Sequence, residues 1–336
     1  MIVEDSVVVR TLLTHIVRED PGLMVAAAVA SAEEAIAALP SVRPDVISMD
    51  IRLPGIDGLE ATRRIMAEQP TPIVVVSASI EKDTLAGSMQ ALNAGALSVV
   101  EKPVGLDNGD YAGVAKEICT QLRIMSQVPV VRRRLRAPPP AQASARTLTP
   151  LRLIACAAST GGPQALAALL PALPVQRTPI LLVQHMGAAF MPGFAKWLDG
   201  VVPQHVVLAR DGELPQPGTV HVAPGDMHLR LDRGGRLRLG GDAALRGQRP
   251  AATALLASVA ESIGDAALGI VLTGMGEDGA PGVRAMVAAG ATVLAEHEST
   301  AIVYGMPAAA VREGATALPL TLIGPQVARM LDRKVA

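Results

Sequence analysis

The stretch Leu153-Ile154-Ala155-Cys156-Ala157-Ala158-Ser159-Thr160-Gly161-Gly162-Pro163 decides how this chain folds. The uncharged run from Leu153 to Gln176 approaches the length of a membrane span, but Ser159 to Pro163 breaks it near its start. A strand, a tight turn and a helix account for it better than a bilayer does. Pro163 suits the first turn of that helix, because a helix start leaves its first N–H groups unpaired anyway.

Working outward, short β-branched runs alternate with amphipathic segments on both sides of this unit, which is the pattern of βα units around a parallel sheet. Asp45–Met49, Ile73–Val76 and Leu97–Val100 read as strands in the first half. Leu153–Cys156, Ile180–Val183, Thr219–Val222, Leu268–Leu272 and Thr292–Leu294 read as strands in the second. Between the halves, Gln127 to Pro150 is rich in Pro, Ala and Arg with no sustained apolar period, so it reads as an extended tether. The expected organisation is α/β throughout, with two doubly wound parallel-sheet domains at 1–125 and 150–336 and a linker at 126–149. A length of 336 residues suits two domains, each able to bury a core.

Composition narrows the function. The net charge is −1, and one Trp, two Tyr and two Phe leave almost no platforms for stacking bases, so nucleic acid is not an expected partner. Cys119 and Cys156 stand alone, which supports neither a disulfide framework nor a zinc site and fits a reducing compartment. The start Met1-Ile2-Val3-Glu4-Asp5 lacks the basic and apolar regions of a signal peptide. The expectation is therefore a cytoplasmic location without membrane insertion.

Ligands of such sheets gather at the carboxyl ends of strands. In the first half those ends carry Glu4-Asp5, Asp50, Ser77 and Lys102-Pro103. Converging carboxylates repel unless a hard divalent cation such as Mg²⁺ bridges them, and an aspartate beside that cation can attack a phosphoryl donor. Ser77 and Lys102 could then clamp the phosphoryl group. Each residue alone is equally well an ordinary strand end. Together with Asp50-Ile51-Arg52-Leu53-Pro54-Gly55-Ile56-Asp57-Gly58 and Glu101-Lys102-Pro103, they resemble the response-regulator receiver family over Met1 to Met125. The resemblance implies a (βα)5 fold with Asp50 as phospho-acceptor, and Mg²⁺ held by Glu4, Asp5 and Asp50. It also implies Ser77 and Lys102 as the phosphorylation switch, a cis peptide before Pro103 and a histidine kinase as phosphoryl donor. Only Met1-Ile2-Val3 precede the acidic pair, where receivers carry a full buried strand, so either the true start lies upstream or the first strand is clipped.

In the second half, Ser159 sits on a strand-to-helix turn, where helix N–H groups can stabilise an oxyanion. A helix-capping serine reads the same way. His185 follows the strand Ile180–Val183, and Asp278 follows a third strand within Thr273-Gly274-Met275-Gly276-Glu277-Asp278-Gly279. Histidine would act as general base and aspartate would fix its tautomer. The order Ser, His, Asp matches none of the chymotrypsin, subtilisin or α/β-hydrolase orders, and Ser159, Asp278, His297 is a competing set in the α/β-hydrolase order. Gly274 to Gly279 also mimics a dinucleotide loop with Glu296 downstream, although Glu277 and Asp278 would repel a pyrophosphate.

Ala158-Ser159-Thr160-Gly161-Gly162-Pro163, Gln184-His185-Met186, Ala223-Pro224-Gly225-Asp226, Leu272-Thr273-Gly274-Met275-Gly276 and Tyr304-Gly305-Met306-Pro307 resemble the catalytic domain of the chemotaxis protein-glutamate methylesterases. This resemblance implies a Rossmann-like catalytic domain without a cofactor, Ser159 as nucleophile, His185 as base and Asp278 as its orienter. Thr160 and Met275 would serve at the oxyanion. The implied substrates are methyl-accepting chemotaxis receptors, demethylated at glutamate and deamidated at glutamine under receiver control. A non-catalytic adaptor that binds a receptor or kinase is the alternative. Two departures stand out: the proline after His185 comes late, at Pro192, and Arg249-Pro250-Ala251-Ala252-Thr253 lacks the serine and aspartate common after that Arg-Pro pair. Neither is expected to touch the three catalytic groups.

Overall fold

The computed structural model describes residues 1–77, 91, 94–103, 108–128, 151–173 and 178–332. The chain divides into two compact units, Met1–Leu135 and Arg136–Ala336. The expected tether lies, from residue 129 to residue 150, outside the described residues.

In the first unit, β1 Ile2–Val3, β2 Ala28–Val29, β3 Ile47–Met49, β4 Ile73–Ser77 and β5 Ser98–Glu101 form a sheet in the order β2-β1-β3-β4-β5. Every pairing is parallel, so each connection must cross over the sheet rather than turn back as a hairpin. Three helices start where a short polar side chain captures an orphaned N–H. Ser6 accepts from Val9, Ser31 from Glu34 and Asp57 from Glu60, opening Val7–Glu19, Ala32–Val42 and Gly58–Glu68.

The short first strand is present as two residues, and it lies inside the sheet between β2 and β3. Ile2 and Val3 are only 3% and 1% exposed, so pairing on both sides compensates for its length. The cis peptide expected before Pro103 is absent; among the described residues the cis bond is Arg249–Pro250. Strand β2 escaped the sequence reading because two residues in an Ala-rich stretch show no period.

The second unit holds β6 Leu153–Ala158, β7 Ile180–Gln184, β8 His205–Leu208, β9 Thr219–Val222, β10 His228–Leu231, β11 Leu237–Gly240, β12 Ala267–Val271, β13 Thr292–Glu296 and β14 Thr316–Leu318. Seven of these form a parallel sheet in the order β14-β13-β12-β6-β7-β9-β8. An antiparallel hairpin, β10 with β11, is an addition the α/β pattern did not foretell.

Chain order places the site. From β6 the sheet grows through β7 and β9 to one side, and then the chain returns to lay β12 on the other side of β6. Such a reversal opens a crevice at the carboxyl ends of the strands, the usual ligand position in open α/β sheets. Leu181, Val183, Leu255, Val259, Val271 and Met286 belong to one aliphatic core cluster, each worth about 1.5–3 kcal/mol when fully buried. With so few aromatics, aliphatic packing carries the fold. Among the described residues, no helix is long and apolar enough to cross a membrane.

Candidate active site

Ser159 follows β6 and His185 follows β7, and the two strands pair with Ala158 opposite Gln184. The next register positions are therefore Ser159 and His185, and the His185 N–H donates to the Ala158 carbonyl at 2.9 Å. Gly161, at φ 77°, turns the chain into the helix Gly162–Leu169, a left-handed conformation that glycine adopts without a Cβ penalty. A Cβ on Gly274 would lie 2.7 Å from the Ser159 Cβ, so the loop after β12 approaches the serine as closely as it does only with glycine there.

That loop delivers Asp278, which is 4% exposed. Its Oδ2 accepts from His185 Nε2 at 2.9 Å and from the Ala252 N–H at 2.6 Å. Its Oδ1 accepts from the Thr253 N–H at 3.1 Å, the Thr253 hydroxyl at 2.7 Å and the Gly279 N–H at 2.8 Å. Burial pushes this carboxyl up, but the bonds from His185 and Thr253 outweigh it and hold Asp278 below the ordinary aspartate value. With Nε2 engaged by Asp278, Nδ1 is the ring nitrogen left for a reacting partner, the reverse of the chymotrypsin arrangement.

Thr273 pins the serine turn. Its carbonyl accepts the Ser159 N–H at 3.0 Å, its hydroxyl donates to the Thr160 carbonyl at 2.9 Å and accepts the Val303 N–H at 2.8 Å. Gln184 does the same from β7, its amide donating to the carbonyls of Ser159 at 2.8 Å and His185 at 2.9 Å. Thr160 is buried, at 5% exposure, whereas Met275 stands 44% exposed on the neighbouring loop.

The competing readings separate. His297 follows β13, two strands from β6, and its Nδ1 is bonded to Ser299, whereas the histidine bonded to Asp278 is His185. Glu296 is buried and accepts the Thr273 N–H at 2.9 Å, and Glu277 pairs with Arg246 and Arg312. Neither carboxylate is placed to serve a dinucleotide.

The first unit gathers its polar residues at the same edge. Asp50 follows β3 and Glu4 follows β1, with the Asp50 N–H donating to the Val3 carbonyl at 2.9 Å. Lys102 Nζ lies 2.8 Å from both Glu4 Oε2 and Asp50 Oδ2. Burial raises the Glu4 and Asp50 carboxyls, with Lys102 opposing and the Asp50 charge adding to the rise at Glu4. Burial alone would lower Lys102, but Asp50 and Glu4 together raise it. Glu4, Asp5 and Asp50 each bring a carboxylate oxygen within 4.8 Å of the other two. The Ser77 hydroxyl is fully buried and has no hydrogen-bond partner among the described residues.

The sequence comparisons agree with this division. Residues 154–327 match the family model for CheB methylesterase, and residues 1–110 match the response regulator receiver domain. The chain belongs to the CheB methylesterase family. It is 48% identical over 337 residues to "Protein-glutamate methylesterase/protein-glutamine glutaminase 2" of Paramagnetospirillum magneticum, covering 97% of this chain and 96% of that one. A Nitrosospira multiformis relative of the same name without the numeral is 41% identical, covering 100% of this chain and 96% of its own. The crystal structure of the Thermotoga maritima CheB methylesterase catalytic domain superposes with a TM-score of 0.52 at 35% identity, covering 54% of this chain and 100% of that one.

One expectation about this CheB family member is corrected by its structure. The departure at Ala252-Thr253 does touch a candidate catalytic group, since three of the donors to Asp278 come from these two residues. The sequence reading missed them because they open the helix Ala252–Ile263, which contacts Asp278 only in three dimensions. His228 was missed as well. It is fully buried, accepts the Ala251 N–H on Nδ1 at 3.2 Å and bonds the Ala243 carbonyl through Nε2 at 3.1 Å. It thus braces the residue that leads into the Asp278 cradle.

Proposed function

We propose that this chain is a serine hydrolase that removes methyl groups from esterified glutamates of methyl-accepting chemotaxis receptors, and deamidates receptor glutamines, under control of its receiver. The observation that carries the reading is the His185–Asp278 pair at 2.9 Å, with His185 opposite Ser159 at the ends of two paired strands. The names of the relatives support the substrate class.

In this mechanism His185 takes the Ser159 proton as the serine oxygen attacks the γ-carbonyl, forming a C–O bond and a tetrahedral oxyanion. Thr160, the Met275 backbone and the first N–H groups of Gly162–Leu169 are the candidate stabilisers of that oxyanion. Collapse expels methanol, which receives the proton from His185, and leaves an acyl-serine. Water, deprotonated by His185, attacks that ester and frees the glutamate and Ser159. A glutamine follows the same path with ammonia as the leaving group. Asp278 stays ionised throughout and holds the imidazole tautomer.

Glu4, Asp5 and Asp50 form an all-oxygen set, with the Glu4 and Asp50 carboxyls raised by burial, and such a set fits a hard divalent cation. Glu4, Asp5 and Asp50 would hold Mg²⁺. When bound, the cation supplies charge neutralisation at the phosphoryl group being transferred. Asp50 is the acceptor, a histidine kinase the donor, and Lys102 and the buried Ser77 hydroxyl the groups that meet the phosphoryl oxygens. Residues 126–149 act as the tether between regulator and enzyme, and the protein works in the cytoplasm, where the receptor ends carrying these glutamates would be reached.

Methanol release from methylated receptor membranes tests the reading. Ser159→Ala should lose about 10⁶ in turnover, the scale for removing such a nucleophile. Release that continues in Ser159→Ala would overturn it.

A further inference from the structure

We propose that Thr253 is a positioning residue for the hydrolysis, its hydroxyl locking Asp278 in the ionised, His185-directed orientation. The inference rests on the esterase reading and adds to it a group that no motif of the catalytic triad contains.

The hydroxyl has a defined polarity. The Gly279 N–H points at Thr253 Oγ1 at 2.9 Å, which occupies a lone pair of the oxygen. The hydroxyl proton is thereby directed to its other neighbour, Asp278 Oδ1 at 2.7 Å. A hydroxyl constrained to donate requires an acceptor, and a carboxylate oxygen accepts more strongly than a neutral carboxyl does. The Thr253 N–H at 3.1 Å and the Gly279 N–H at 2.8 Å, the latter bifurcated between Thr253 Oγ1 and this oxygen, end on the same Oδ1. Oδ1 is saturated by three donors, so His185 meets only Oδ2, and the carboxylate cannot rotate without breaking all three bonds.

The electrostatic surroundings are simple. His185 is the titratable group bonded to Asp278. Glu277, next in the chain, pairs with Arg246 at 3.2 Å and Arg312 at 2.6 Å. From the helix Ala252–Ile263 the contacts to Asp278 are the Ala252 N–H and the two Thr253 donors. The Thr253 bonds are among the causes that lower the Asp278 carboxyl. Their loss moves the Asp278 carboxyl upward. An Asp278 that protonates at higher pH gives up its hold on the imidazole earlier on the acid side, so the acid limb of the activity profile moves to higher pH.

Thr253→Val keeps the shape and removes the hydroxyl; Thr253→Ser keeps the hydroxyl. Methanol release by the full chain from methylated receptor membranes is followed against pH for both, alongside Ser159→Ala. Thr253→Val should lose about 10- to 100-fold in kcat, the scale of one hydrogen bond to a charged group. KM should be little changed, the acid limb should move to higher pH, and Thr253→Ser should restore rate and limb. Should the valine variant melt below the assay temperature, Thr253→Ala carries the same expectations. An unchanged kcat, a lost rate with an unmoved acid limb, or failure of serine to rescue would each overturn the proposal. Ser159→Ala separates the two readings: if it still releases methanol the esterase reading falls, and if it is inert while Thr253→Val is unchanged, only the role of Thr253 falls.

Discussion

Asp50 and Asp278 are each 4% exposed and each follows a strand of a parallel sheet, yet their carboxyls shift in opposite directions, Asp50 upward and Asp278 downward. Burial pushes both up. At Asp278, His185, Ala252, Thr253 and Gly279 supply donors to both oxygens, and these outweigh burial. At Asp50, Lys102 must be shared with Glu4, and its pull together with the Arg52 and Ile51 backbone bonds does not outweigh burial. Equal burial therefore yields a settled anion in one unit and a strained one in the other. The first holds a histidine; the second is poised for a cation and a phosphoryl group.

Asparagine substitution should separate the two sites most strongly. Asp278→Asn should lose about 10⁴ in methanol release, because the imidazole loses its tautomer partner. Its melting temperature should also fall, with stranded donors costing about 1–3 kcal/mol each. Asp50→Asn should abolish phosphoryl incorporation while raising the melting temperature of the first unit in metal-free buffer. A carboxyl raised in the folded state costs stability at neutral pH, and that cost is relieved as pH falls through its folded value. Acidification from pH 7 should accordingly stabilise the first unit of the parent chain, and Asp50→Asn should flatten the response. Asp278, lowered in the folded state, contributes stability above the ordinary aspartate value and loses it only as pH falls through the lower folded one. Calorimetry in which both asparagine variants are destabilised would break the contrast.

Next in size, Mg²⁺ should raise the first melting transition, by about 2.7 kcal/mol at a hundred times its Kd, and leave the second unmoved. Asp50→Asn should blunt that rise. The smallest effect belongs to His297→Ala: its ring bonds only locally to Ser299, so turnover should stay within about twofold and stability within about 0.5 kcal/mol. A large loss there would reopen the α/β-hydrolase order of residues.

Much of the candidate site was legible because each residue terminates a local pattern. An apolar β run ending at Ala158, Gln184 or Val271 is visible without a neighbour, and so is the Gly-rich turn that follows it. The β10–β11 hairpin, β8 and β14 were not legible: His228-Leu229-Arg230-Leu231 is as short as Thr219–Val222, which was read, but carries no β-branched residue to mark it. Thr253 and His228 were invisible as site residues for a different reason: each acts on the site by reaching a loop from another element.

The sequence by itself determined that the chain is α/β and which acids, hydroxyls and histidines follow the strands it made legible. Only the tertiary structure decided that β12 returns to the far side of β6, bringing Asp278 to a histidine 93 residues away. It alone decided that Asp278 takes Nε2, that Glu296 is spent on Thr273, and that Thr253 completes the cradle. Periodicity and turn chemistry are local properties of a chain, whereas strand order and hydrogen-bond partnership are set by packing among segments distant in sequence.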